Sequence, residues 1–302
     1  MITHYRSNLD NFLHWAEHTP KNLYLRQPIA DRYIDYSFEK SASEVKKIAQ
    51  FIQNNLKDGP RHVGIMSKNS AHWILSDLAI AAAGAISVPF YATLTKDQLN
   101  QVLVHSDCQI LLVGKLDHWD KIKDGIPEHI IQIHTPESSE KTGYQWTEIL
   151  QTTTEIQSIP TPSPTDISTI VYTSGTTGNP KGVLLSHNGM RLCLDRAEAM
   201  QLQASDIQLT YLPLFHVYAI SYSMIMSFMC GGAQVIMSGF QVDQALDLIA
   251  KHRVTVVHGF DAHFNDFMLA LAKKPSDISS LRFGTLTVGA DSTIELAQAA
   301  QS

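Results

Sequence analysis

The sequence predicts an α/β fold in which mostly parallel sheets are flanked by helices in layers. Strand-like apolar runs alternate with helical periodicity from residue 45 to 113, and the same rhythm returns from 242 to 288. The composition is that of an ordinary globular protein: 302 residues, 44% hydrophobic and 17% charged, enough chain to bury a sizeable core.

In order, Val45, Ile48, Ala49, Ile52 and Leu56 recur at helical spacing, and Gly59-Pro60 ends that helix. His62–Met66 reads as a strand, Trp73–Ala83 as a mostly apolar helix stopped by Gly84, and Ala85–Pro89 as the next strand. Thr95 and Gln98 have the spacing of a capping box, with Leu99, Val102 and Leu103 on one face of the helix behind them. Asp107 closes that helix and Gln109–Val113 is a strand. Residues 135–166 break the rhythm. They are rich in Ser, Thr and Pro and predict a surface connection with one short helix near Trp146–Leu150. The expected organisation is therefore a first α/β subdomain (1–134), this connection (135–166), and a second α/β subdomain (167–302). Ala219–Cys230 predicts a buried helix, Val242–His252 a helix, Val254–Val257 a strand, Asp261–Ala272 a helix that Asp261 caps, Leu281–Val288 a strand and Thr293–Ala300 a helix.

The charge balance excludes some functions. A net charge of −6 and a pI of about 6.1, with no extended Lys/Arg run, argue against nucleic-acid binding. The three cysteines, Cys108, Cys193 and Cys230, are far apart and form no CxxC pair, so buried free thiols are expected. There are 14 histidines but no HExxH motif, so a metal–histidine site is not expected. Met1–Pro20 lacks the apolar core of a signal peptide, and no apolar stretch is long enough to span a bilayer. A cytoplasmic protein is expected, with peripheral membrane contact left open.

The richest chemical signal is Thr169–His187, "TIVYTSGTTGNPKGVLLSH". Two apolar runs that both read as buried strands enclose a loop of glycines and hydroxyl residues ending at Lys181. Glycines let backbone N–H groups converge on an anion, hydroxyls add donors, and Lys181 adds a positive charge. The spacing does not fit a Walker A loop, and the run after Lys181 is β-like rather than helical, so the expected setting is a strand–turn–strand hairpin. From these residues alone, a phosphate cradle and an empty hairpin tip both remain open.

Tyr172–Gly182, "YTSGTTGNPKG", resembles the phosphate-loop signature of the adenylate-forming, or AMP-binding, enzymes, and the chain is most similar to their long-chain fatty acyl-CoA synthetases. The resemblance extends over most of the chain, through Gly64–Thr95, Tyr211–Ile220, the stretch from Val254 to Met268, and Ser280–Ser292. It implies the N-terminal part of the acyl-CoA synthetase fold and the ATP-dependent activation of a carboxylic acid to acyl-AMP. Coenzyme A or an acyl carrier then accepts the acyl group. It implies that Thr173, Ser174, Gly175, Thr176, Thr177 and Gly178 wrap the phosphates, that Lys181 offsets their charge, and that Thr177 faces Mg²⁺. Gly289 and Ala290 would border the adenine. His216 would stand between phosphate and acid, although a lone histidine in that position also suits a core. Phe215, Val217, Tyr218, Tyr222, His258 and Gly259 would line the acid pocket. The segment Phe215–Ala219 has no acidic residue to pair with a substrate ammonium, so a fatty or aryl acid is expected, with fatty acid preferred.

The sequence departs from the family pattern at Val288-Gly289-Ala290, where Gly-Gly-Ala is usual, and at Gly259-Phe260-Asp261, where Gly-Val-Pro is common. The resemblance ends before the family's later Mg²⁺-binding, ribose-binding and lid motifs. The expectation is the first part of a ligase, with the second subdomain incomplete, the lid absent, and little or no activity in this chain alone. A non-enzymatic nucleotide- or acyl-binding homologue is the alternative.

Overall fold

The computed structural model describes residues 7–30, 32–173 and 180–287. The chain opens with helix α1 (Asn8–His18), strands β1 (Leu23–Ile29) and β2 (Arg32–Ser37), and helix α2 (Phe38–Asn55). It continues through β3 (His62–Met66), α3 (Ala71–Ala82), β4 (Ile86–Phe90), α4 (Lys96–His105), β5 (Cys108–Val113), α5 (Trp119–Ile122) and β6 (Ile131–His134). The predicted connection carries β7 (Tyr144–Gln145) and α6 (Trp146–Thr152). Then come β8 (Ile167–Thr173), β9 (Lys181–Ser186), α7 (His187–Ala199) and β10 (Ile207–Thr210). A π-helical stretch (Ala219–Ile225) runs into α8 (Met226–Met229), followed by β11 (Ala233–Ile236), α9 (Val242–His252), β12 (Val256–Phe260), α10 (Asp261–Lys273) and β13 (Phe283–Thr287). The helix expected at 293–300 lies outside the described residues.

Two sheets form, ordered β7-β6-β5-β3-β4-β8-β9 and β13-β12-β10-β11-β1-β2. In each, every neighbouring pair is parallel except the last, where a hairpin adds an antiparallel edge strand: β9 in one and β2 in the other. This is the layered, mostly parallel α/β architecture the sequence predicts. Both sheets draw strands from either side of residues 135–166: β8 and β9 complete the first sheet, and β1 and β2 the second. The break in sequence rhythm is thus not the line between the sheets.

The core explains the helix patterns. Helix α3 is apolar almost all round because it is covered on several sides: it packs against α2, against β3 and β4 of one sheet and against β1 of the other. Helix α4 is amphipathic, and buries Leu99, Val102 and Leu103 in a smaller core on the far side of the first sheet. Its capping box is present: Thr95 accepts from the Gln98 N–H while Gln98 accepts from the Thr95 N–H. The connection is anchored rather than loose. Trp146 is buried and its indole N–H donates to Glu44 of α2 at 2.9 Å. The adjacent Glu137 takes a 2.7 Å contact from the His72 ring. All three cysteines are free and buried, as expected. Among the described residues, no helix is long and apolar enough to cross a membrane.

Candidate functional site

Strands β8 and β9 form the expected antiparallel hairpin, with Ile170 opposite Leu184, Tyr172 opposite Gly182 and Thr173 opposite Lys181. The loop residues Ser174, Gly175, Thr176, Thr177 and Gly178 lie outside the described residues, and so do Gly289 and Ala290. What is described are the two posts of the loop, Thr173 and Lys181. Both are exposed and in register, which brings a hydroxyl and an ammonium to the same mouth. A polyphosphate suits such a pair, because it needs both donors and counter-charge. Among the described residues, no cluster of His, Cys, Asp or Glu is fit to hold a metal.

The strand behind one post is buried and the strand behind the other is not. Ile170, Val171 and Tyr172 are buried, and burial pushes the Tyr172 phenol up to about 12. Its oxygen lies 2.7 Å from His105 Nδ1 at the end of α4. The second apolar run corrects the sequence expectation: Val183 is 47% and Leu184 59% exposed. The cause is sheet order, since β9 is the outermost strand of its sheet. Gly182 is needed for close approach, because a Cβ there would stand 2.8 Å from Ile170 Cγ2.

The segment that carries Phe215 and His216 is tied to the neighbouring strand ends of the first sheet. Strand β8 runs parallel to β4, so Thr173, the last residue of β8, and Tyr91, the residue after β4, lie at the carboxyl ends of neighbouring strands. Tyr91 packs on Phe215 with ring centroids 4.6 Å apart. Asn69, just after β3, donates to the Leu212 carbonyl and accepts from the Leu214 N–H, each at 2.9 Å. These contacts tie the segment carrying His216 to the first sheet, in the crevice where open α/β sheets bind ligands.

His216 is exposed, not a core residue. Its Nδ1 accepts the Tyr218 N–H at 3.2 Å at the start of the helical run, so the ring proton sits on Nε2. The imidazole is thereby oriented by the backbone and can donate through Nε2.

Among the residues expected to line the acid pocket, Phe215 is half-buried and Val217 exposed, while Tyr218 and Tyr222 stand one turn apart with ring centroids 4.9 Å apart. The expected buried helix here is buried but wound wider, as a π-helical stretch, a feature frequent at functional sites. Tyr218 Oη is 2.8 Å from Thr285 Oγ1 and 3.4 Å from the Gly259 carbonyl. His258 Nδ1 is 2.8 Å from the same Thr285 oxygen. Burial lowers the His258 pKa to about 4, which keeps the ring neutral. Gly259 faces elsewhere: a Cβ there would meet Tyr211 Oη at 2.8 Å and Phe264 at 3.1 Å, so its bare α-carbon admits packing of α10 rather than opening a pocket. Asp261 is the first residue of α10 and not its cap. Its carboxylate accepts from the Ala262 N–H, and His263 Nδ1 accepts from the Phe260 N–H instead.

Sequence reasoning missed Thr285. It joins Tyr218 to His258 because β13 pairs with β12 with His258 opposite Thr285, a register that local sequence does not reveal.

A family-wide sequence profile described as AMP-binding enzyme matches residues 12–302. The chain is 29% identical over 233 residues to 4-coumarate–CoA ligase 3 of Arabidopsis thaliana, covering 72% of this chain and 40% of that protein. It is 30% identical over 231 residues to the peroxisomal long chain acyl-CoA synthetase 7 of the same plant, covering 69% and 33%. The fold matches the inhibitor-bound N-terminal domain of FACL13 from Mycobacterium tuberculosis with a TM-score of 0.83, over 98% of this chain and 74% of that one, at 20% identity. The chain thus spans less than half the length of these two curated relatives.

Proposed function

Because this chain belongs to the AMP-binding enzyme family, we propose that it forms the ATP- and acid-binding part of an acid–CoA ligase. Such an enzyme activates a carboxylic acid as its acyl-adenylate and passes the acyl group to coenzyme A. The observation that carries this reading is the convergence of the β8–β9 hairpin mouth and His216 on one rim, through Tyr91 and Phe215. Two anions must meet for a carboxylate to attack the α-phosphate, so the site has to offset charge and align the partners. Lys181 supplies positive charge at the loop mouth, Thr173 a hydroxyl donor, and His216 an Nε2–H donor fixed by its helix start. Mg²⁺, when bound, would add further counter-charge at the phosphates. The half-buried aromatic wall of Phe215, Tyr218 and Tyr222 suits an acid with an apolar body, and a fatty acid is the first class to test.

The chain alone is expected to bind ATP but to catalyse little ATP–pyrophosphate exchange. Binding is measured with a fluorescent ATP analogue, and exchange with a panel of fatty and aryl acids. Lys181→Ala should weaken ATP binding about tenfold or more. Unchanged binding in that variant overturns the phosphate-loop assignment, and robust exchange by the wild-type chain overturns its expected inactivity.

A further inference from the structure

Beside the acid wall, three side chains from three elements form a hydrogen-bonded string: Tyr218 Oη, Thr285 Oγ1 and His258 Nδ1. The string ends on His258 Nε2, which has no partner among the described residues although His258 is only 1% exposed. Thr285 has one hydroxyl hydrogen. If it donates to Nδ1, then Nε2 carries the proton and is an unmatched donor; if Nδ1 donates to Thr285, Nε2 is an unmatched acceptor. Both arrangements leave a buried polar atom unsatisfied, and folding gains nothing from that. A phenylalanine or leucine among the neighbouring Val256, Val257 and Phe260 would leave no polar atom unpaired. The ring stands 5.7 Å from Tyr222, on the π-helical stretch that carries the acid wall.

We propose that His258, positioned by Thr285 and Tyr218, reads a hydroxyl group on the body of the acid, so that the pocket selects hydroxylated carboxylic acids over their plain hydrocarbon counterparts. A hydroxyl both donates and accepts, and therefore satisfies Nε2 in either arrangement. The inference rests on the reading that the Tyr218–Tyr222 face receives the acid. The hydroxyl can belong to an aromatic ring or to an aliphatic chain, and the choice of probes separates the two.

The test is calorimetric binding to this chain in the presence of ATP, with two matched pairs of probes: para-hydroxyphenylpropionate against phenylpropionate, and ω-hydroxydecanoate against decanoate. The hydroxylated member of at least one pair should bind about tenfold more tightly. His258→Phe should abolish that preference, chiefly by weakening the hydroxylated member. Thr285→Val keeps the ring but removes its partner, and should reduce the preference if His258→Phe fails to fold. Equal binding within both pairs overturns the inference while leaving the acid site in place, as does a preference that survives both variants. If no probe binds while ATP does, the acid-pocket reading beneath the inference falls as well.

Discussion

Asp77 offers a quantitative test of the packing between α3 and the sheets. It lies in the middle of α3, largely enclosed, and burial pushes its carboxyl up to about 6 from 3.8. A shift of this size, at about 1.4 kcal/mol per pH unit, corresponds to about 3 kcal/mol. The sign follows from which state holds the proton. Well below the unfolded value of 3.8 both folded and unfolded chains carry the neutral acid, and there is no penalty. As the pH rises towards about 6, the unfolded chain ionises while the folded one resists, so stability falls; above that the loss is complete and flat. Asp77→Asn removes this titration. Other groups slope the opposite way, because Asp35, Glu137 and Asp206 are held below their ordinary values by Arg26, His72 and Arg282 despite burial. The informative quantity is therefore the difference between variant and wild type, measured by urea unfolding at several pH values from about 4 to 7. The variant should gain about 2–3 kcal/mol relative to wild type across that range. Parallel curves for the two proteins would falsify the claim that Asp77 is held in a desolvated site.

Two further outcomes follow from close contacts. Gly182→Ala forces a Cβ against Ile170 and should destabilise the hairpin by about 1–3 kcal/mol, read as a lowered urea midpoint together with weaker binding of the ATP analogue. Trp146→Phe keeps an aromatic ring but removes the indole N–H that donates to the Glu44 carboxylate, and should cost about 1–3 kcal/mol in the same unfolding experiment; a loss below about half a kcal/mol would mean that water replaces the indole there.

Features with local causes were legible in the sequence. The Thr95 capping box, β3 at His62–Met66 and α9 at Val242–His252 stand where spacing and punctuation put them, because each is decided by residues within a turn or two. The phosphate-loop hairpin was legible for the same reason, and its posts pair in register. Features decided by distant partners were not. Val183 and Leu184 have the composition of a buried strand, but sheet order leaves β9 on the edge. Thr285 gains its meaning only from its register with His258, and His263 took the capping role that the aspartate at 261 suggested. The wide turns at Ala219–Ile225 leave no mark on an apolar stretch whose periodicity reads equally well as an α-helix.

The placement of β1 has a consequence for how the chain comes into being. Its parallel partner β11 follows it by about two hundred residues, with Leu25 beside Gln234. A growing polypeptide therefore emerges with one apolar strand of its second sheet long before the neighbour that will flank it has been synthesised. Until then that strand has its hairpin mate β2 and the helices α1, α2 and α3 for shelter. Cutting the gene within the connection would produce two pieces, each lacking strands from both sheets. Such halves would be expected to find each other only when made together, as complementing fragments of a single cooperative body.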